Sequence, residues 1–281
     1  VSRPVRDTRR FPDAPLFSEA HLVFWDGLVA DFEIFESISS TQDLSLARLR
    51  AGREGAGWIL AKEQTKGIGR HGKSWVGTRG NFMASRWETM ELDVRRAPQL
   101  SFVTALAVYE MLRPLVPDTD QSMRIKWPND ILHRGRKLCG ILVQTEATDK
   151  PGHLGIVIGI GMNLRVAPIL EGYPTVALKE ISHEAKKLDA VAVLHKLNGH
   201  LDGVLDLWRS KDFNDIGKAW LKRAYGRDRL VNVTQDGVSL TGRIHGLDEF
   251  GGLKIKATDG QIYTVTGGDI TYGELIDAAG N

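Results

Sequence analysis

The chain has 281 residues, 42% hydrophobic and 26% charged, the balance of a globular fold with one large domain or a large and a small one. A formal net charge of +2 is too weak to make nucleic acid the main partner, and no apolar run reaches the length of a membrane span. The one cysteine, Cys139, excludes an intramolecular disulfide framework and fits a reducing compartment, expected to be the cytoplasm, while eight scattered histidines make no zinc motif.

The opening VSRPVRDTRRFPDAP is polar and proline-containing, which does not fit a secretory signal. Residues 1–30 are expected to be a polar arm and lead-in; its four arginines leave a transit or surface-binding role open. LVFWDGLVADFEIFES predicts one or two apolar strands. SSTQDLSLARLRAG predicts a short helix, capped by Ser40 with Asp43 three residues on and stopped at Gly52. WILAKEQT reads as a strand, Gly67–Gly72 as a loop, and GNFMASRWE as another strand. LSFVTALAVYEMLRPLV keeps helical spacing at Phe102, Leu106, Tyr109 and Arg113, and Pro114 and Pro117 mark its end. MRIKWPNDILHRGRKLCGILVQTEA predicts two strands joined at Arg134–Arg136, and GHLGIVIGIGMNLRV a buried strand. Leu188–Trp208 and Phe213–Ala224 read as helices. From Gly226 the pattern changes to short alternating strands with turns at Asp236-Gly237 and Asp259-Gly260, which predicts a small separate β-barrel. The expected fold is thus α+β: a mixed-sheet domain over residues 31–225 and a barrel over residues 226–281.

Gly67-Ile68-Gly69-Arg70-His71-Gly72 matches a G-x-G-x-x-G, a weak signal alone. A dinucleotide-binding turn would open a helix, yet KSWVGTRGNFMASRWE follows, rich in glycine and β-formers. No H-R-D or D-F-G supports a kinase loop. What remains is a strand–loop–strand carrying Lys66, Arg70, His71 and Lys73. It is suited to a phosphate or carboxylate, and equally to a solvated basic hairpin.

A second stretch points further. Lys126-Trp127-Pro128-Asn129-Asp130, followed by Lys137-Leu138-Cys139-Gly140-Ile141-Leu142, closely resembles the biotin protein ligase family. That family also carries blocks matched here by Ser40-Thr41-Gln42, by Gln64 before the glycine loop with Trp75 after it, and by Gly159-Ile160-Gly161-Met162-Asn163. All occur in the family's order. The resemblance runs from about Phe32 to Tyr272 and implies a biotin/lipoate-ligase-type domain with a C-terminal SH3-like barrel.

It also implies a reaction. Biotin would be activated by ATP, with Mg²⁺, to biotinyl-AMP, then passed to a lysine of a biotin carboxyl carrier domain. Lys137 is expected to be the central cation and Arg70 an anion clamp; both are otherwise ordinary surface cations. Ser40, Thr41, Gln42, Gln64, Ile68, Gly69 and Gly140 would complete the biotin site, although Ser40 as a mere helix cap is the simpler physical reading. Trp75, Lys126, Asn129, Asp130 and Asn163 would contact ATP or the adenylate; the simpler physical readings are Trp75 as core and Asn163 as a turn residue. Asp130 would assist Mg²⁺, position Lys137, or only cap a turn.

The chain departs from the family at Gln42 (usually Asn), at Ile68 and Lys73 (usually Arg), and at His245, near where related C-terminal domains often place an Arg. No two-helix pattern precedes the catalytic region, so DNA binding is not expected, nor is a membrane partner. A homodimer through a sheet edge stays open. The rival activities are a lipoate or octanoate ligase or transferase of the same fold and an inactive ligand- or carrier-binding relative.

Overall fold

Alternation along the strands sets the architecture, because successive side chains on a strand point to opposite faces. The computed structural model describes residues 21–22, 31–116, 122–170, 173–210, 212–227, 229–235 and 237–275. The expected arm at 1–20, most of the lead-in and Asp236 of the first barrel turn lie outside these residues.

The first half contains β1 (His21–Leu22), β2 (Asp31–Phe35), α1 (Thr41–Arg50), β3 (Ala56–Ala61), β4 (Gln64–Ile68), β5 (Ser74–Gly77), β6 (Phe82–Glu91) and α2 (Gln99–Leu112). Then come β7 (Met123–Lys126), β8 (Asp130–His133), β9 (Arg136–Ala147), β10 (His153–Met162), α3 (Leu178–Ile181), α4 (Ala190–Ser210) and α5 (Phe213–Lys222). Eight of these strands form one mixed sheet in the order β1-β2-β3-β6-β10-β9-β8-β7. Only β2 and β3 run parallel; α1 is their crossover.

Each sheet face has its own core. Trp58, Leu60, Ile156, Ile158 and Ile160 join the large cluster with α2, α4 and α5. Their neighbours Ile59, Ala61 and Val157 point the other way and pack with Leu44, Leu46 and Leu49 of α1. Helix α2 is apolar on almost every side because it lies between the sheet and two other helices. Phe102 sits edge-on to Phe213 and Trp220, at 5.6 and 5.2 Å between ring centroids. Burying a side chain of this size stabilises the fold by about 1.5–3 kcal/mol.

The C-terminal sheet comprises β11 (Arg229–Gln235), β12 (Val238–Leu247), β13 (Leu253–Ala257), β14 (Ile262–Val265) and β15 (Asp269–Leu275), all antiparallel, in the order β14-β13-β12-β11-β15. Gly237 and Gly260 turn between strands at φ +79 and +84, a backbone that glycine adopts without cost. The sheet shares the large apolar cluster with α2 and α5 and adds polar contacts: Gln99 Nε2 donates to the Glu249 carbonyl at 2.6 Å, and Trp127 Nε1 to the Gly251 carbonyl at 3.3 Å.

Three local expectations change. The strand expected over WILAKEQT is two strands, β3 and β4, separated at Lys62 and Glu63. The glycine segment is not wholly a loop: Gly67 and Ile68 end β4, a 3-10 turn covers Arg70–Gly72, and β5 returns. The KWPND region holds three strands rather than two, because Trp127-Pro128-Asn129 is itself the turn between β7 and β8. Proline lacks the donor a strand ladder needs, and the turn falls there.

Candidate functional site

The α1 face of the main sheet is open beyond the end of the helix. A cavity of about 510 Å³ lies there, under the β4–β5 hairpin and beside the 127–129 turn. That volume suits a small organic ligand. Every site residue singled out from the sequence lines it: Ser40, Thr41, Gln42, Gln64, Ile68, Gly69, Arg70, Trp75, Lys126, Asn129, Asp130, Lys137, Gly140 and Asn163.

One end is a polar network built on the start of α1. Ser40 caps the helix, its hydroxyl accepting from the Asp43 N–H at 3.2 Å, as its position predicts. Thr41 N–H donates to Gln64 Oε1 at 2.7 Å, and Thr41 Oγ1 to the same oxygen at 3.0 Å. Thr41 Oγ1 also lies 2.8 Å from Ser85 Oγ, and Ser85 Oγ donates to Gln42 Oε1 at 3.1 Å. Gln42 Nε2 reaches the carbonyls of Val157 and Leu142 at 3.4 and 3.5 Å. The longer side chain at position 42 is thus accommodated in the sheet surface.

The floor is glycine. Gly140 pairs with Gly161 across β9 and β10, and Leu142 pairs with Gly159. The same alternation that sends Ile158 and Ile160 to the core turns Gly159 and Gly161 into the cavity. A Cβ on Gly161 would lie 2.3 Å from the Trp75 indole, and one on Gly159 would lie 2.3 Å from Gln42 Oε1. Trp75 therefore rests on the glycine floor, and its buried indole N–H has no hydrogen-bond partner. Asn163 Nδ2 donates to the Lys137 carbonyl at 3.3 Å, while its Oδ1 is buried with no hydrogen-bond partner. These orphaned groups are one donor and one acceptor of the cavity wall.

Lys137 stands at the centre. Its Nζ lies 2.8 Å from Asp130 Oδ1, with the lysine side chain 19% exposed and the carboxylate 11%. Gly140 makes room for it, since a Cβ there would meet Lys137 Nζ at 3.1 Å. The Trp75 and Tyr173 rings flank the ammonium, with centroids at 5.6 and 5.4 Å. Arg70 Nη1 donates to Asn129 Oδ1 at 3.3 Å, joining the hairpin tip to the KWPND turn. At that tip His71 adopts φ 54, a left-handed backbone uncommon outside glycine. Asn129 Nδ2 in turn donates to the Ile141 carbonyl, fixing the turn to β9.

Sequence reasoning missed Tyr173 and Ser85. Tyr173 Oη donates to Asp130 Oδ2 at 2.7 Å, and burial together with the adjacent carboxylate pushes its pKa far up, so it stays a donor. It arrives because the chain at 174–176 pairs with β9: Lys137 N–H donates to the Pro174 carbonyl at 2.8 Å and Val176 N–H to the Lys137 carbonyl at 2.9 Å. The available signal was slight, an aromatic held extended before a proline. His245 is exposed on β12; Gly268 and Ile270 bring the C-terminal sheet to the cavity instead.

Residues 34–163 match the model of the biotin/lipoate A/B protein ligase family, and residues 228–272 match that of the biotin protein ligase C-terminal domain. A biotin–[acetyl-CoA-carboxylase] ligase of Paracoccus denitrificans is 32% identical over 220 residues, covering 76% of this chain and 90% of that protein. The chain belongs to the biotin/lipoate A/B protein ligase family. A bifunctional ligase/repressor BirA of Escherichia coli is 30% identical over 236 residues, covering 83% of this chain and 71% of the relative. The fold agrees with the family: a biotin protein ligase from Aquifex aeolicus, solved with biotin and ATP, superposes with a TM-score of 0.70. It is 24% identical over 86% of this chain and 98% of its own. The KWPND turn, the glycine hairpin and the Lys137 strand all fall inside the segment matched to the ligase family.

Proposed function

We propose that this protein is an ATP-dependent biotin–protein ligase. The observation that carries the reading is the placement of Lys137: an ammonium on a glycine floor, between a hydrogen-bonding end and an arginine-bearing hairpin. Biotin's ureido ring needs donors and acceptors, which Thr41, Gln42, Gln64 and Ser85 supply. An octanoyl chain needs apolar walls alone and would set methylenes against this polar network, with nothing to bond its remaining donor and acceptor capacity.

In the first step a carboxylate oxygen of biotin attacks the α-phosphorus of ATP. The bond from that phosphorus to the bridging oxygen breaks, and pyrophosphate leaves. Two anions must approach, so Lys137 between carboxylate and phosphate lowers the barrier most where charge is densest. Arg70 closes over the product from the hairpin, and Trp75 walls off water from the mixed anhydride. In the second step the amine of a carrier lysine attacks the acyl carbon. The bond from the acyl carbon to AMP breaks, and the amine loses a proton. The acceptor in this reading is a lysine of a biotin carboxyl carrier domain.

Mg²⁺ accompanies ATP as part of the substrate. A resident ion does not fit the described residues: they contain no group of three metal-ligating side chains, and Asp130 is engaged by Lys137 and by Tyr173. No helix among the described residues is long and apolar enough to cross a membrane. A division at about residue 225 into ligase domain and C-terminal barrel accords with the separation of the eight-stranded sheet from the five-stranded one.

The deciding experiment is a single turnover with Mg-ATP and biotin, lipoate or octanoate, without carrier, reading pyrophosphate and acyl-adenylate by mass. Biotinyl-AMP alone is expected. Lipoyl- or octanoyl-AMP instead would move the protein to the neighbouring specificity. No adenylate from a folded sample would make it a binding relative.

A further inference from the structure

The KWPND turn is held from outside the cavity as well as from within. Inside, Asn129 Oδ1 accepts from Arg70 at 3.3 Å, and the Ile141 N–H donates to the Asn129 carbonyl at 3.0 Å, so the turn sits between the hairpin tip and β9. Outside, Trp127 is 3% exposed within the large apolar cluster, and its indole N–H donates to the Gly251 carbonyl at 3.3 Å.

Gly251 belongs to the turn 248–252 between β12 and β13 of the C-terminal sheet. That turn is built to hold one shape. Asp248 Oδ1 accepts from the N–H groups of Phe250 and Gly252 at 2.9 and 2.7 Å, and the Asp248 N–H donates to the Gly252 carbonyl at 2.8 Å. A carboxylate that takes backbone donors from its own turn fixes the path of the chain. The turn is also fixed in place. Gln99 Nε2 donates to the Glu249 carbonyl while Gln99 Oε1 accepts from the Trp208 indole at 2.6 Å, which ties the turn to α2 and α4. Gly251 stands at φ +95, and a Cβ there would lie 2.5 Å from the Phe102 ring, so its backbone rests directly on α2. Residues 248–252 nevertheless do not line the cavity.

We propose that Asp248 and Trp127 are positioning residues. Asp248 shapes the turn that presents the Gly251 carbonyl, Trp127 is held by that carbonyl, and the KWPND turn is thereby set where Asn129 meets both Arg70 and β9. The C-terminal sheet then governs how firmly the hairpin tip is tied down, from a point with no ligand contact. This rests on the ligase reading for its substrate but not for its geometry.

The test uses the full chain with Asp248→Ala, Asp248→Asn, Trp127→Phe and the Ala/Phe double variant. The readouts are native-state hydrogen exchange of the Ile141 amide without ligand, escape of biotinyl-AMP in a filtration assay, and biotin affinity without nucleotide. Asp248→Ala and Trp127→Phe each weaken one hydrogen-bonded link, and each is expected to speed exchange and escape roughly fivefold, with biotin affinity within about twofold of the parent's. Asp248→Asn keeps the acceptor oxygen and restores the parent's values. The double variant is no worse than the worse single one, because both changes break the same link. Ile141 exchange within about twofold of the parent in folded Asp248→Ala overturns the proposal, as does full additivity in the double variant. Escape at the parent's rate while exchange rises overturns it as well, since a merely structural turn would do that. Should Trp127→Phe lose its cooperative melt, Asp248→Ala decides alone, because Asp248 lies outside the core. Should the parent form no acyl-adenylate, the ligase reading fails, and exchange at Ile141 still decides the positioning role.

Discussion

Replacing Lys137 by methionine removes the charge and keeps most of the stem. The methylenes continue to pack by Gly140 and under Trp75, so the cavity keeps its shape. Two costs follow. Asp130 loses its cation at 2.8 Å and keeps only the Tyr173 hydroxyl. An exposed pair is worth about 0–1 kcal/mol, and stripping one partner from a fully buried pair costs about 3–5 kcal/mol. With both partners mostly covered, Lys137→Met should destabilise by about 2 kcal/mol. The second cost is catalytic. Loss of a group aimed at developing charge slows chemistry by about 10²–10³-fold, or roughly 3–4 kcal/mol. The first is read by chemical denaturation, the second by single-turnover biotinyl-AMP formation at saturating biotin and ATP. Asp130→Asn added to Lys137→Met should recover about 1 kcal/mol of stability, since it removes the stranded carboxylate, while adenylation stays slow. Adenylation within threefold of the parent in Lys137→Met would refute the central role. An unchanged stability in the single variant would show that solvent screens the pair.

Other variants probe the walls of the cavity. Arg70→Gly cuts the tie from hairpin tip to Asn129 at 3.3 Å, so biotinyl-AMP should escape about tenfold faster in a filtration assay; retention as tight as the parent's argues against the hairpin as a cover. Gly159→Ala places a methyl 2.3 Å from Gln42 Oε1, and should weaken biotin by about 1–3 kcal/mol while ATP affinity holds, as measured by calorimetry; equal losses for both ligands would mean a general distortion. Cys139 is fully buried, and that burial pushes its thiol pKa up. The folded thiol stays protonated at pH 8, so iodoacetamide should label it only after unfolding. The sign for stability follows: the unfolded thiol ionises first, so as pH rises through its value of about 8.5 the fold loses stability. Rapid labelling of the native protein at pH 8 would contradict the burial.

By itself the sequence determined what is local or periodic. Ser40 as a helix cap, the core helix over Gln99–Leu112 and the glycine turns of the C-terminal strands all follow from short-range chemistry, and all are present. The residues that line the cavity could be picked out because the KWPND and KLCGIL blocks match the family in residue type and order, even though 89 positions separate Ser40 from Asn129 in the chain. Tertiary structure decided the rest. Gly159 and Gly161 face the cavity only because β10 pairs in a register that sends its isoleucines to the other side, and a register is a long-range property. The hairpin carrying Arg70 and Trp75 reads as a solvated basic loop until the fold lays it on that glycine floor. Tyr173 and Tyr272 lie in segments with no motif, and they meet Lys126 only once a loop adds to β9 and the C-terminal sheet docks. Residue types declare what chemistry is available; strand register and docking decide which atoms come close enough to perform it.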